Sequence, residues 1–365
     1  MKAKNELSLS SSLIRPTRRA VLGGAAALIA SPAIIHPARA AGQVIVRTSG
    51  GAYADAITPT IYAPFTKETG IEVVQVAATI GKLYAMFRSG NIELDVIDTD
   101  QLPLHTLSKE GALANIDYGS WKTVDPNLVD KDVRLPTFVG HIYFSLAIAY
   151  NNQVFPDGKH PKSWAEFWDV ARFPGARTMP DAAAGQPPLE FALLADGVPM
   201  DKLYPLDIDR AFKSLDRIRP SIVKFWDTGA VSAELLSSKE VVLAALWNAR
   251  AQPLIDNKVP VAIEWNQAMY TCQGYSIFKG AKNMANAQRL VEYASAPDKL
   301  AAFLSLYPYG PAVPKALELM KPEALARLPT TPDRLAKAFP LNVAWWDENR
   351  AKVGDLWSKW LLRRS

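Results

Sequence analysis

Short apolar runs alternate with stretches of helical period along most of this chain, and that alternation restricts its fold more than any other feature. Residues 44–47, 71–76, 94–97 and 241–246 are apolar runs of strand length. Between the first of them, residues 53–65, 81–89 and 102–110 carry apolar side chains at helical spacing. Leu83, Met86 and Phe87 share one such face, and Gly111 closes the third segment. Units of this length imply parallel strands with helices on both faces, the α/β class. The pattern continues with strands at 146–150 and 178–179 and helices at 189–195, 207–218, 284–295 and 297–306. Ser163 and Glu166 stand at capping-box spacing ahead of Phe167 and Trp168. Trp345, Trp346, Trp357 and Trp360 recur at helical spacing and are expected to pack on a core.

The N-terminal forty residues have a different character. Arg18 and Arg19 precede an apolar run at 25–30, and Ala38-Arg39-Ala40 follows. This is the arrangement of a twin-arginine export signal, with small residues for cleavage near Ala40. Gly23, Gly24 and Pro32 break the run too early for a bilayer span. A periplasmic location follows. The signal also holds most of the charge imbalance. The whole chain has 41 Lys and Arg against 36 Asp and Glu, and residues 1–40 contain six basic residues and one acid. What remains is neutral, which gives no electrostatic case for nucleic acid or an anionic membrane. The roughly 325 residues beyond the signal exceed one comfortable core, so two lobes are expected. Cys272 is the single cysteine and reads as a buried small hydrophobe.

Catalytic constellations are absent from the sequence. His105, His141 and His160 lack partners at metal-ligand spacing, and neither a nucleophile elbow nor a Walker loop occurs. No cofactor or metal is expected. Instead, polar and aromatic residues follow the strands: Ser49, Gly50 and Gly51, then Asp98 and Asp100, Asp181, Trp226 with Thr228, Trp247 with Arg250, Gln273 and Tyr309. Open parallel sheets bind ligands beyond the carboxyl ends of their strands. Two facing lobes would gather these groups around one small solute.

The order of several segments resembles the periplasmic solute-binding proteins of ABC importers, in the branch of the spermidine/putrescine binders. The matching pieces include Pro64-Phe65-Thr66-Lys67-Glu68-Thr69-Gly70, Leu94-Asp95-Val96-Ile97, Ala149-Tyr150-Asn151, Pro161-Lys162-Ser163-Trp164, Leu246-Trp247-Asn248 and Tyr309-Gly310-Pro311. The resemblance implies two α/β lobes, each a mainly parallel sheet flanked by helices, with a ligand cleft between them. It places residues 41–146 with about 272–306 in the first lobe and 147–271 with about 307–365 in the second. It implies a monomer that closes around a solute and delivers it to a membrane permease. Ligand residues carried over are Ser49, Gly50, Gly51, Tyr53, Asp100, Asp181, Trp226, Thr228, Trp247, Arg250, Gln273 and Tyr309. Tyr53 is expected to wall the cleft and Trp247 to stack on the ligand. This chain departs from the polyamine pattern where Ala52, Arg250 and Gln273 replace acids. An arginine facing the ligand favours a carboxylate over a diamine, so the expected solute is polyamine-like or, given Arg250, a zwitterionic or acidic amine-containing compound. A ferric-ion binder of the same fold class is the nearest alternative, although Tyr307 and Tyr309 are split by Pro308. An exported enzyme is a second.

Overall fold

The computed structural model describes residues 42–156 and 158–363. The export-signal expectation falls outside these residues. Eight strands form one continuous hydrogen-bonded path among them: β1 (Gln43–Thr48), β2 (Glu72–Ala77), β3 (Val96–Asp100), β4 (Phe138–Asn151), β5 (Arg177–Pro180), β6 (Ile222–Trp226), β7 (Leu243–Trp247) and β8 (Val261–Phe278). Their spatial order is β2-β1-β3-β8-β4-β7-β5-β6. The two ends match the strand–helix alternation, since β1 pairs in parallel with β2 and β3, and β5 with β6 and β7. The middle does not. β8 is antiparallel to β3 and β4, and β4 is antiparallel to β7. The continuous sheet is therefore mixed, parallel toward both ends as expected for each lobe and antiparallel only across the middle. The 18-residue β8 has no counterpart among the segments read from the sequence. Its polar residues Glu264, Asn266 and Gln267 interrupt any apolar alternation.

β4 is buried along all 14 residues, which explains its near-continuous apolar sequence. Side chains along β4 and β8 enter separate hydrophobic clusters. Ile142 and Tyr275 belong to a first cluster with Val46, Ile97 and Leu104. Leu146 and Met269 belong to a second with Trp164, Phe191 and Trp346. Ala149 and Val261 join a smaller third cluster with Leu236 and Leu246. Ala312, Val313, Ala316 and Leu328 pack in the first cluster, although the sequence resemblance puts everything after about 307 in the second lobe.

The C-terminal helix Val343–Leu362 shows how the expected tryptophan face is fixed. Trp346, Trp357 and Trp360 are buried. Each indole N–H donates to a carboxylate from the second half of the molecule: Trp346 to Glu190 at 2.6 Å, Trp357 to Asp181 at 3.0 Å and Trp360 to Asp216 at 2.7 Å. A buried indole needs such a partner, and a hydrogen bond to an ionisable group is worth roughly 1.5–3 kcal/mol.

Where β4 and β8 cross the first cluster, Gly140 and Gly274 lie opposite each other beside a register shift. A Cβ on Gly274 would sit 2.2 Å from the Val139 carbonyl oxygen, a backbone atom that cannot swing aside. Gly274→Ala is expected to destabilise the protein by about 2–3 kcal/mol, the range of core overpacking. Urea denaturation followed by far-UV circular dichroism measures this. A variant within 0.5 kcal/mol (about the spread of an ordinary surface change) would refute the close approach.

Candidate functional site

A cavity of about 360 Å³ opens where the two larger clusters face each other. Arg47 and Ser49, at and beyond the end of β1, line it together with Thr99 and Asp100 at the end of β3. β4 contributes Phe144 and β8 contributes Thr271. From the second half come Ala184, Gly185 and Gln186, Trp247 at the end of β7, and Arg350 on the C-terminal helix. The volume lies in the small-molecule range.

The charges in this cavity have different degrees of freedom. Arg47 is anchored by main-chain oxygens: its Nε donates to Ala78 O at 3.1 Å and its Nη1 to Asp98 O at 2.6 Å. Nη1 also reaches Ser49 Oγ at 3.4 Å, and neither main-chain contact uses Nη2. Arg350 is exposed and forms no ion pair or hydrogen bond within the described protein. Asp100 occupies the N-cap position of the helix Gln101–Lys109, but its side chain makes no capping bond. Asp100 is exposed on the cavity lining and flanked by protein. That surrounding protein raises its pKa to about 6, against a smaller downward pull from Arg47. Phe144 and Trp247 meet edge to face at 5.1 Å and form an aromatic wall, with Tyr309 stacked behind Phe144 at 5.4 Å. Two cations, one uncommitted carboxylate and an aromatic wall can hold a small molecule with both an anionic and a cationic end.

The sequence-derived residues divide into those on this cavity and those supporting it. Ser49, Asp100 and Trp247 line it. Gly50 and Gly51 adjoin Ser49 with φ of 71° and 54°, a backbone region that favours glycine. Tyr53 is not a cleft wall. It is 4% exposed, and its hydroxyl donates to Asp98 Oδ2 at 2.6 Å. Gln273 donates to the other oxygen of Asp98 at 2.8 Å. Burial outweighs these two bonds and raises the Asp98 carboxyl to about 6. Asp181 spends one oxygen on Ala183 N–H and the other on Trp357, thereby shaping the turn before Ala184–Gln186. Trp226 is fully buried and donates to Ala245 O at 2.9 Å. Thr228 caps the helix Gly229–Ser237. Arg250 is exposed, passes over Gly229 and is absent from the cavity lining. The arginines on the cavity lining are Arg47 and Arg350 instead.

Sequence reasoning passed over Arg47, Phe144, Gln186 and Arg350. Arg47 did carry a signal, as a charged residue closing an otherwise apolar strand. Arg350 did not, because only the docking of the C-terminal helix brings it here. A larger cavity of about 560 Å³ adjoins the first through Thr271 and Leu341. It is lined by Asp130, Asp132, Tyr143 and Tyr270, with Tyr143 donating to Asp130 at 2.9 Å. Cys272 also borders it, but burial pushes its thiol well up, against nucleophilic use. Among the described residues, no group of three His, Cys, Asp or Glu side chains could hold a metal ion. No described helix is long and apolar enough to cross a membrane.

Comparison with known proteins identifies the family. The chain is 29% identical over 328 residues to the gamma-aminobutyric acid-binding protein of Pseudomonas aeruginosa, covering 88% of this chain and 91% of that one. It is 24% identical to the spermidine/putrescine-binding periplasmic protein of Escherichia coli K12, covering 73% and 78%. The crystal structure of an ABC transporter substrate-binding protein from Bradyrhizobium japonicum superposes with a TM-score of 0.80 at 34% identity, over 88% of this chain and 99% of that one. These relatives are solute-binding proteins, not enzymes. Residues 60–332 match the family of bacterial extracellular solute-binding proteins, and this chain belongs to that family as a substrate-binding component of an ABC transporter.

Proposed function

We propose that this protein captures a small zwitterion with separated amine and carboxylate groups, of the 4-aminobutanoate type, and delivers it to an ABC permease. One observation carries the reading: Arg47, Arg350 and Asp100 line the same 360 Å³ cavity beside an aromatic wall. Arg350 and Nη2 of Arg47 would hold the carboxylate, since guanidinium matches carboxylate geometry. Asp100 would hold the ammonium, and Trp247 with Phe144 would cover the alkyl chain. The gamma-aminobutyric acid-binding relative supports this solute class. The remaining parts of the proposal concern the whole chain. The first cluster, including residues 312–328, and the other two clusters represent two lobes that close on the solute. The protein acts as a periplasmic monomer after twin-arginine export and cleavage near Ala40.

A diamine is the second reading, favoured by the acidic cavity next door. A diamine could reach from Asp100 toward Asp130 and Asp132 without using either arginine.

Isothermal titration with 4-aminobutanoate, 5-aminopentanoate and putrescine separates the two. The zwitterions are expected to bind more tightly. Arg350→Ala is expected to weaken them by about 1.5–3 kcal/mol, roughly tenfold to a hundredfold in Kd. Tight putrescine binding that survives Arg350→Ala would instead establish the diamine.

The pH dependence provides a separate check. Asp100 attracts an ammonium only when ionised, and its pKa is raised to about 6. Affinity for an amine-bearing zwitterion is therefore expected to fall as pH drops through 6, approaching about tenfold per pH unit below it. Asp100→Asn should bind weakly with a flat profile between pH 5 and 7. A wild-type profile equally flat would remove Asp100 from ammonium recognition.

A further inference from the structure

Two helices carry the opposing charges of the cavity, and a partly buried link joins them. The helix Gln101–Lys109 begins at Asp100 and packs Leu104 and Leu107 into the first cluster. The C-terminal helix Val343–Leu362 carries Arg350 and packs Trp346, Val353 and Trp357 into the second. Asp347 lies three residues before Arg350, on the same helical face. Its Oδ1 accepts from Thr106 Oγ1 at 2.5 Å and its Oδ2 from Lys109 Nζ at 2.7 Å. His105 Nε2 lies 4.0 Å from Oδ2. The Asp347 side chain is only 7% exposed while that of Lys109 is 54% exposed, so the bond from half-buried Thr106 is the sheltered part of the link and the Lys109 pair is open to solvent. The bonds from Lys109 and Thr106 hold its carboxyl below the ordinary range despite burial.

Neither helix can easily adjust around this link. The three indole–carboxylate bonds fasten one end of the linkage to the second half of the molecule. At the other end, the backbone of Asp98 and Asp100 pairs with β8. The backbone positions that carry Asp100 and Arg350 are consequently joined by a path through Thr106, Lys109 and Asp347, with the Arg350 side chain extending freely from its end.

We propose that Asp347 is a positioning residue that sets this span, and with it the chain length of amino acid the cavity prefers. The inference rests on the zwitterion reading above and adds to it the group that selects among such solutes. A ligand whose charges are closer or farther apart than the span can satisfy one end only. With the link broken, the helices part more freely and the preference flattens.

The test compares binding of 3-aminopropanoate, 4-aminobutanoate, 5-aminopentanoate and 6-aminohexanoate to the wild-type protein, Asp347→Asn, Thr106→Val and Asp196→Asn. Asp196 is the control: it pairs with Arg210 and Arg217, both at 2.6 Å, wholly within the second half. In Asp347→Asn the ratio of best to worst Kd is expected to shrink at least fivefold, with Thr106→Val moving the same way. Asp196→Asn should keep the wild-type ratio even if its Tm falls. Spin labels at Glu110→Cys and Ala351→Cys, both exposed positions, read the helix separation without ligand. Cys272 is 1% exposed and escapes labelling. Asp347→Asn is expected to lengthen or broaden that distance distribution. An unchanged distribution, or an unchanged Kd ratio, overturns the proposal. If the wild-type protein binds none of the four amino acids, the zwitterion reading fails and the selective role with it. The spin-label distances then still decide whether Asp347 ties the helices together.

Discussion

The antiparallel pairing of β4 with β8 is the constraint on which the rest of this molecule depends. The two strands are long enough to pass from the first hydrophobic cluster into the others. Every other strand on the main path attaches directly or through a neighbour to one of them. β3, β1 and β2 follow outward from β8, and β7, β5 and β6 follow from β4. Hydrogen bonding therefore fixes where the ends of β3 and β7 fall, and those ends carry Asp100 and Trp247. Midway along the pair, Phe144 and Thr271 are direct cross-strand partners and form the floor of the cavity. The site is a by-product of where two long strands leave one core and enter the next.

Behind that floor lies a second layer of polar groups that no solute needs to touch. Tyr53 and Gln273 satisfy the two oxygens of buried Asp98, whose own carbonyl holds Arg47. Asp181 ties a turn of the cavity wall to Trp357. Buried polar groups of this kind are costly unless fully paired, so each has a partner whose position it also restricts. Several residues singled out as ligand contacts do this supporting work, one shell away from the solute.

This distinction shows how far the sequence could be read. Alternating apolar runs disclosed β1, β2, β3 and β7 and the helices that follow the first three, because each is a local pattern with its own period. The rule that ligands gather beyond strand ends then pointed to Ser49, Asp100 and Trp247, which line the 360 Å³ cavity. It could not separate Asp100 from Asp98, since alternate residues of one strand differ only in which way they point. It also pointed to Arg250, which follows a strand but turns across Gly229 and does not line that cavity. β8 escaped notice because its polar central stretch hides a strand defined by long-range pairing. Arg350 was out of reach for the same reason: its place depends on indoles finding carboxylates some 130 to 180 residues earlier in the chain.

The anchoring of Arg47 has a consequence for how such a site can diversify. Its guanidinium is oriented by the peptide oxygens of Ala78 and Asp98, atoms that every residue type supplies. Replacing side chains elsewhere on the wall leaves those acceptors in place. One positive charge is thus a fixture of the backbone, while Asp100, Gln186, Trp247 and Arg350 are free to vary around it. A lineage built on this scaffold can change the character of the cavity by altering a few loop and helix positions, without disturbing the positive charge that its backbone holds in place.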